Sequence, residues 1–344
     1  MAMNRPKMFA IWMGIALGGS GTIAVAFADA WTGPWGRFLT VVHLMPVLLA
    51  TIFVQGPILK QPVLAPLGLN LKLGRWWLIA WLSPVLLLAL GVLFAWLIFG
   101  VDPVLDAQSY VDHKRALLSG EALESFDAQL RESPPPSPIW FWLVVQGLPA
   151  GVTLNMLVAL AGEIGFRGFL FREVRGGFWR RALLIGLAEA AFLALPAAFG
   201  HFFPEHPLRG AASIAAWALV ASPVLVYLRV RADSTVAVAI FRGTVLALGV
   251  AAAEIAWTAE DWQRPFFGVA GVAAMLVALG ACALHDRFVA KTRLIFAPAP
   301  GAEGQGAAKK KKQPAPSKAP DDETPDEAAD ASEEPAAASA ARDA

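Results

Sequence analysis

The stretch ALAGEIGFRGFLFREVR, residues 159–175, puts Glu163 and Arg167 four residues apart at the end of a long apolar run. On a helix that spacing stacks both side chains on one face. A carboxylate withdrawn from bulk water can take a proton from a hydrolytic water, provided another group holds the developing oxyanion. An arginine one turn away works against this use, because it favours the ionised carboxylate and makes it a weaker base. The same spacing suits an orienting ion pair. Two further ionisable residues, Glu189 and Arg242, lie within apolar stretches. At 1.5 Å per helical residue they sit roughly 13 Å and 12 Å from the basic ends of their segments. Lone charges at membrane depth are costly. The expectation is therefore that Glu189 pairs with Arg242 and that both join Glu163 and Arg167 in a neutral cluster of two acids and two bases. Two alternatives stay open. Arg242 could snorkel to the surface, or Glu163 and Glu189 could share a water as a catalytic carboxyl pair.

No metal or other cofactor is expected. A catalytic zinc takes about three protein ligands. The five histidines are His43, His113, His201, His206 and His285, and none is placed by the sequence at the level of Glu163. His201 and His206, with Glu205, flank FFP in an outer loop; the cluster could bind a metal weakly but reads as solvent-facing groups. The one cysteine, Cys282, lies in an apolar stretch, excludes an internal disulfide and reads as a packing residue.

The elements that must position these groups are membrane helices. Of 344 residues, 57% are hydrophobic and only 16% charged, against about 25% charged in soluble domains. Mean hydropathy is +0.55. Net charge is +1, and no basic-aromatic pattern points to nucleic acid. About eight segments have the roughly 20 apolar residues a spanning helix needs: 8–28, 38–54, 76–99, 139–161, 182–199, 211–228, 235–255 and 265–284. The fold class is thus all-α, a polytopic helical bundle. Alternate connections are rich in Lys and Arg, which places both termini in the cytoplasm and the chain in the cell's inner (plasma) membrane. Glu163 and Arg167 then fall at the cytoplasmic end of the fourth span. The basic start and the small residues of AFADA also allow a cleaved signal, although the apolar stretch exceeds the usual signal core.

The chain divides into helices 1–3 (1–100), an outer polar segment with a surface helix (101–137), core helices 4–7 (138–256), helix 8 with its inner end (257–296) and a tail (297–344). The tail turns to Ala, Pro, Gly, Lys and Glu, holds no aromatic residue and, apart from Thr324, no β-branched one, and is expected to be disordered. Its Lys309–Lys312 run can meet anionic lipid. Asn155 is expected to bond a neighbouring helix. Gly147, Gly151, Gly165 and Gly168 are expected to permit close helix approach.

From 139 to about 249 the chain resembles the CPBP family of CAAX-protease and bacteriocin-processing intramembrane endopeptidases, and the stretch 66–91 is of the kind that precedes that core. GEIGFRG resembles the family's EExxxR motif, with Glu163 on the second glutamate, Arg167 on the arginine and Gly162 on the first glutamate. GLAEAAFLALP resembles the aromatic–histidine motif, with Phe192 on the aromatic and Leu193, or Pro196 at longer spacing, on the histidine. DSTVAVAIFRGTVL resembles the start of the HxxxN motif, with Arg242 on the histidine and Leu246 on the asparagine. The resemblance implies a helical membrane fold with a cavity facing the cytoplasm. It also implies that the water-activating glutamate and both histidines are missing, and that Glu163 and Arg167 are retained as an orienting pair. The expectation is a non-catalytic member that binds a protein, a peptide or a lipid. The alternatives are an active endopeptidase using Glu163 with Glu189, and a transporter.

Overall fold

The computed structural model describes residues 5–63, 65–71 and 73–297. All of the expected tail beyond Ala297, including Lys309–Lys312, lies outside them. The described residues form helices without a strand: α1 (Arg5–Ala26), α2 (Gly36–Phe53), α3 (Arg75–Phe99), α4 (Ala107–Leu117), α5 (Glu121–Glu132), α6 (Ile139–Val152), α7 (Leu154–Glu163), α8 (Phe178–Ala197), α9 (Pro207–Ala232), α10 (Thr235–Ile255) and α11 (Val269–Phe288). Seven helical stretches are long and apolar enough to cross a membrane. α8 is also 20 residues long. It differs from the seven in that Arg180, Arg181 and Glu189 are so placed that every 18-residue stretch of it contains all three.

Local chemistry sets the ends. Asp106 accepts from Ser109 N–H at 2.8 Å and caps α4, and Ser234 caps α10 through Ala237 N–H. α5 stops before the SPPP run, where proline cannot continue a helix. The outer segment 101–137 therefore folds as two short helices rather than one.

The fourth span departs most from expectation. Its helix breaks at Thr153 (φ −112°, ψ −110°). The Thr153 hydroxyl lies 2.9 Å from the Pro149 carbonyl and 3.3 Å from that of Ala150, and Asn155 Nδ2 donates to the Ala150 carbonyl at 3.2 Å. Asn155 thus closes the break in its own segment instead of bridging to a distant helix. Beyond α7 the chain continues as a π-helical turn, Ile164–Leu170, and one more α-turn, Phe171–Glu173. The stretch long and apolar enough to cross a membrane is Leu154–Glu173. Glu163 is at the middle of this stretch rather than at its end. Charge misled the sequence reading, because Glu163 and Arg167 resemble the end of an apolar run unless other helices neutralise them.

α10 is the central helix, packed on α6, α7 and α3. α8 and α9 form a tight hairpin, and the α1–α2 hairpin lies against α8 and α7. The approach of α10 to α6 and α7 is backbone to backbone. A Cβ at Gly243 would lie 2.5 Å from both Gly151 O and Met156 N, and one at Gly151 would strike Thr244. Backbone atoms cannot rotate away, so Gly243→Ala should cost about 1–3 kcal/mol, measured as lost thermal stability in detergent. An unchanged stability would mean that the two helices separate freely.

Two apolar clusters meet in the bundle. One gathers Trp217, Leu225, Phe241 and Leu248 with residues of α3 and α11. The other gathers Trp12, Val47, Phe169, Ile185 and Phe192. The charged side chains lie where these clusters adjoin.

Candidate functional site

Three regions distant in sequence bring four charges together. α7 ends on Glu163, the π-turn carries Arg167, α8 carries Glu189 and α10 carries Arg242. Arg167 Nη2 lies 2.5 Å from Glu189 Oε2, and Arg167 Nη1 lies 3.4 Å from Glu163 Oε2. Arg242 Nη2 lies 2.9 Å from Glu189 Oε1, and Arg242 Nε lies 3.4 Å from Glu163 Oε1. Each arginine bridges both carboxylates, so the cluster alternates in sign and is neutral with all four groups ionised. Arg167 and Glu189 are fully buried, Glu163 nearly so, and the Arg242 side chain is 16% exposed. Arg242 also lies over the Trp217 ring. Snorkelling is thereby overturned: Arg242 turns into the bundle, where two carboxylates meet it.

The π-turn places Arg167. Its carbonyl accepts from Arg229 Nε at 3.3 Å and from the Thr235 hydroxyl at 3.4 Å. Gly165 lets the turn press against α1 and α2, since a Cβ there would meet Val47 Cγ1 at 2.4 Å and Trp12 at 2.9 Å. The ion contacts are close but poorly aligned. The Arg167 terminal nitrogens and both Glu189 oxygens make no hydrogen bond of normal angle, so their attraction is mainly coulombic.

Above the cluster is a cavity of about 60 Å³. Gly162, Glu163, Leu193, Pro196, Arg242 and Leu246 all line it. Apart from Arg167, which lies beneath in the ion cluster, the site positions aligned by the three sequence motifs all meet at this cavity. A Cβ at Gly162 would meet one side-chain tip within 4 Å, Leu44 Cδ2 at 3.0 Å. The cavity does not lie on the side expected. Trp31, Thr40, His43, His201, Phe202 and Phe267 complete its wall. They belong to the end of the bundle with the cation-poor loops, whereas the resemblance taken together with the loop charges implied a cavity at the cation-rich end.

The two histidines correct the sequence reading, which placed none at the level of Glu163. His43 Nε2 lies 3.1 Å from the Phe192 carbonyl, which can only accept, so this nitrogen carries the proton. The imidazole stacks on Phe192 with centroids 4.2 Å apart. His201 Nε2 lies 3.0 Å from the Thr40 hydroxyl. His43 carried a sequence signal that went unused, because an ionisable side chain inside an apolar span is by itself a candidate. His201 carried none, since only tertiary folding turns its loop inward.

Burial, with His43 as the second cause, pushes the His201 imidazole down to about 3 from an ordinary 6.5. Between those values the unfolded chain binds a proton that the folded protein refuses. The stability His201 allows is therefore complete above pH 6.5 and is lost as the pH falls toward 3. Thermal melts in detergent should decline across this window, by at most about 1.4 kcal/mol per pH unit from this group. His201→Asn should flatten the decline; equal slopes would refute the assignment.

Among the described residues one group has metal-ligand geometry, Glu205, His206 and Asp261, with ligand atoms within 4.8 Å of one another. The loop cluster expected from the sequence thus loses His201 to the cavity and gains Asp261. Asp261 is already engaged: Oδ2 accepts from Glu205 and His206 N–H, and Oδ1 from Trp262 N–H. It organises the loop.

The fold and site define an integral membrane protein, a helical bundle with an electroneutral arginine–glutamate cluster beneath a small cavity. The chain matches no protein-family model and no curated protein.

Proposed function

We infer that this is a non-catalytic relative of the CPBP intramembrane endopeptidases, which keeps the family's site as a binding cavity. The observation that carries this reading is the convergence of Gly162, Glu163, Leu193, Pro196, Arg242 and Leu246 on one cavity, from three segments aligned to the family by motif alone. The chemistry at these positions is not that of a hydrolase. Leucine, proline and glycine transfer no proton. Glu163 is held between two guanidinium groups, and taking up a proton would leave the arginines with one counter-charge too few. The inner membrane with both termini cytoplasmic is the location that fits the loop charges. The partner is a protein, a peptide or a membrane lipid.

The test is a cleavage assay in reconstituted membranes with prenylated and unprenylated peptides, run on the wild type, Glu163→Ala and Glu189→Ala. The expected result is no cleavage by protein shown to be folded. Cleavage by the wild type that both substitutions abolish would instead establish an endopeptidase built on Glu163 and Glu189.

A further inference from the structure

We propose that the arginine turn leading into α8, residues 172–181, holds the headgroup phosphate of an anionic phospholipid whose acyl chain runs down the exposed stripe of α8. This surface lies at the cation-rich end of the bundle, away from the cavity, and does not rest on the family reading.

Four observations carry it. The first is charge without counter-charge. The turn holds four arginines, Arg172, Arg175, Arg180 and Arg181, and one acid, Glu173. Glu173 is taken by Arg172 at 2.8 Å. Among the described residues no carboxylate pairs with Arg175, Arg180 or Arg181, whereas Arg167, Arg231 and Arg242 each have one or two. The second is the place of two of these cations. Arg180 and Arg181 stand in the first turn of α8, which has no acid and no side-chain cap. Cations at the positive end of a helix dipole are unfavourable, and an anion joining them offsets this.

The third observation is that the guanidinium groups are already positioned. Arg181 Nε donates to the Val174 carbonyl at 3.1 Å, and its guanidinium carbon lies 4.5 Å from the centre of the Phe171 ring. Arg180 Nη1 donates to the Arg175 carbonyl at 3.1 Å. Gly176 permits this fold-back, since its φ is +119° and a Cβ there would meet Arg180 Cδ at 3.0 Å. Each side chain is thus fixed through one nitrogen. The terminal nitrogens of Arg181 make no hydrogen bond to another described residue. A planar fork with free terminal nitrogens suits a phosphate.

The fourth observation is shape. Trp179, Leu183 and Leu187 are exposed and four residues apart, so they form one stripe down α8. Ala182, Ile185 and Gly186 beside them are buried. The stripe starts at the arginines and leads into the apolar body of the bundle. A charged head above an apolar track matches a phospholipid, and neither free phosphate nor an acidic peptide needs the track.

Fluorescence quenching in lipid nanodiscs tests this on the full chain in a Cys282→Ala background. A fluorophore is attached at Leu187→Cys. The discs are phosphatidylcholine with a small fraction of phosphatidylglycerol or phosphatidylcholine bearing a nitroxide on the acyl chain. The anionic quencher should be enriched about fivefold over the zwitterionic one, the gain that roughly one basic residue supplies at an anionic surface. A fluorophore at Leu86→Cys, exposed on α3, should show no such preference. Arg175→Gln, Arg180→Gln and Arg181→Gln together should erase the preference at Leu187→Cys, and glutamine at Lys309–Lys312 should leave it unchanged. Equal quenching by the two lipids at Leu187→Cys, or an equal preference at Leu86→Cys, would overturn the proposal without any arginine variant. A preference lost with the tail lysines instead of the arginines would also overturn it. Its loss on adding inorganic phosphate at matched ionic strength would make the turn a site for the free ion and not for a lipid. No readout involves peptide cleavage, so failure here is distinguishable from failure of the family reading.

Discussion

Leucine in place of Glu189 should destabilise the protein by about 3–5 kcal/mol, the usual cost of stranding one partner of a buried ion pair. The residue stranded is Arg167, which is wholly buried and loses its 2.5 Å partner. Only Glu163 at 3.4 Å remains, and Arg242 competes for it. The decisive measurement is a double-mutant cycle by thermal or denaturant unfolding in detergent. Adding Arg167→Leu should recover most of the loss, because the pair then leaves together and Glu163 and Arg242 still balance. Replacing a whole buried pair by apolar residues is often neutral or stabilising. That recovery requires a coupling at or beyond the upper end of the about 0.5–3 kcal/mol usual for contacting residues. Strict additivity would mean that the two side chains do not depend on each other.

Arg242→Leu should be the other large effect, again about 3–5 kcal/mol, because Glu163 and Glu189 are left facing one arginine. It differs from the first in its dependence on pH. The cluster then carries one surplus negative charge, and a single proton restores balance. The deficit relative to the wild type should therefore shrink as the medium is acidified. Arg242→Lys should recover only part of the loss, since an ammonium is a point charge and lacks the planar fork that lets Arg242 reach Glu189 at 2.9 Å and Glu163 at 3.4 Å together. Wild-type stability of Arg242→Leu would refute a structural role for the cluster.

The membrane class and most helix positions were legible in the sequence, because both follow from local properties. A run of about 20 apolar residues is a spanning helix wherever it occurs, and the segments around α1, α2, α3, α9, α10 and α11 were placed within a few residues. The grouping of Glu163, Arg167, Glu189 and Arg242 was legible for a related reason. Four charges at similar depth in an apolar medium have few ways to be satisfied, and mutual pairing satisfies them all.

The rest depended on the tertiary structure. Charge ordinarily marks the end of a span, so Glu163 was read as terminal. The partners that hold it inside the bundle come from α8 and α10, and no local signal announces them. The break at Thr153 and the π-turn at Ile164–Leu170 arise from the demand that backbones pack at Gly151, Gly165 and Gly243, a demand that exists only once the facing helices are present. The cavity was hidden for the same reason. His43 comes from α2 and His201 from a loop, more than 150 residues apart, and their meeting is a property of how the α1–α2 hairpin lies on α8. The sequence by itself determined which residues must be buried and which charges must find partners, because solvation acts on each residue alone. Only the tertiary structure decided where those partners meet and which end of the bundle the cavity faces, because that follows from how whole helices pack.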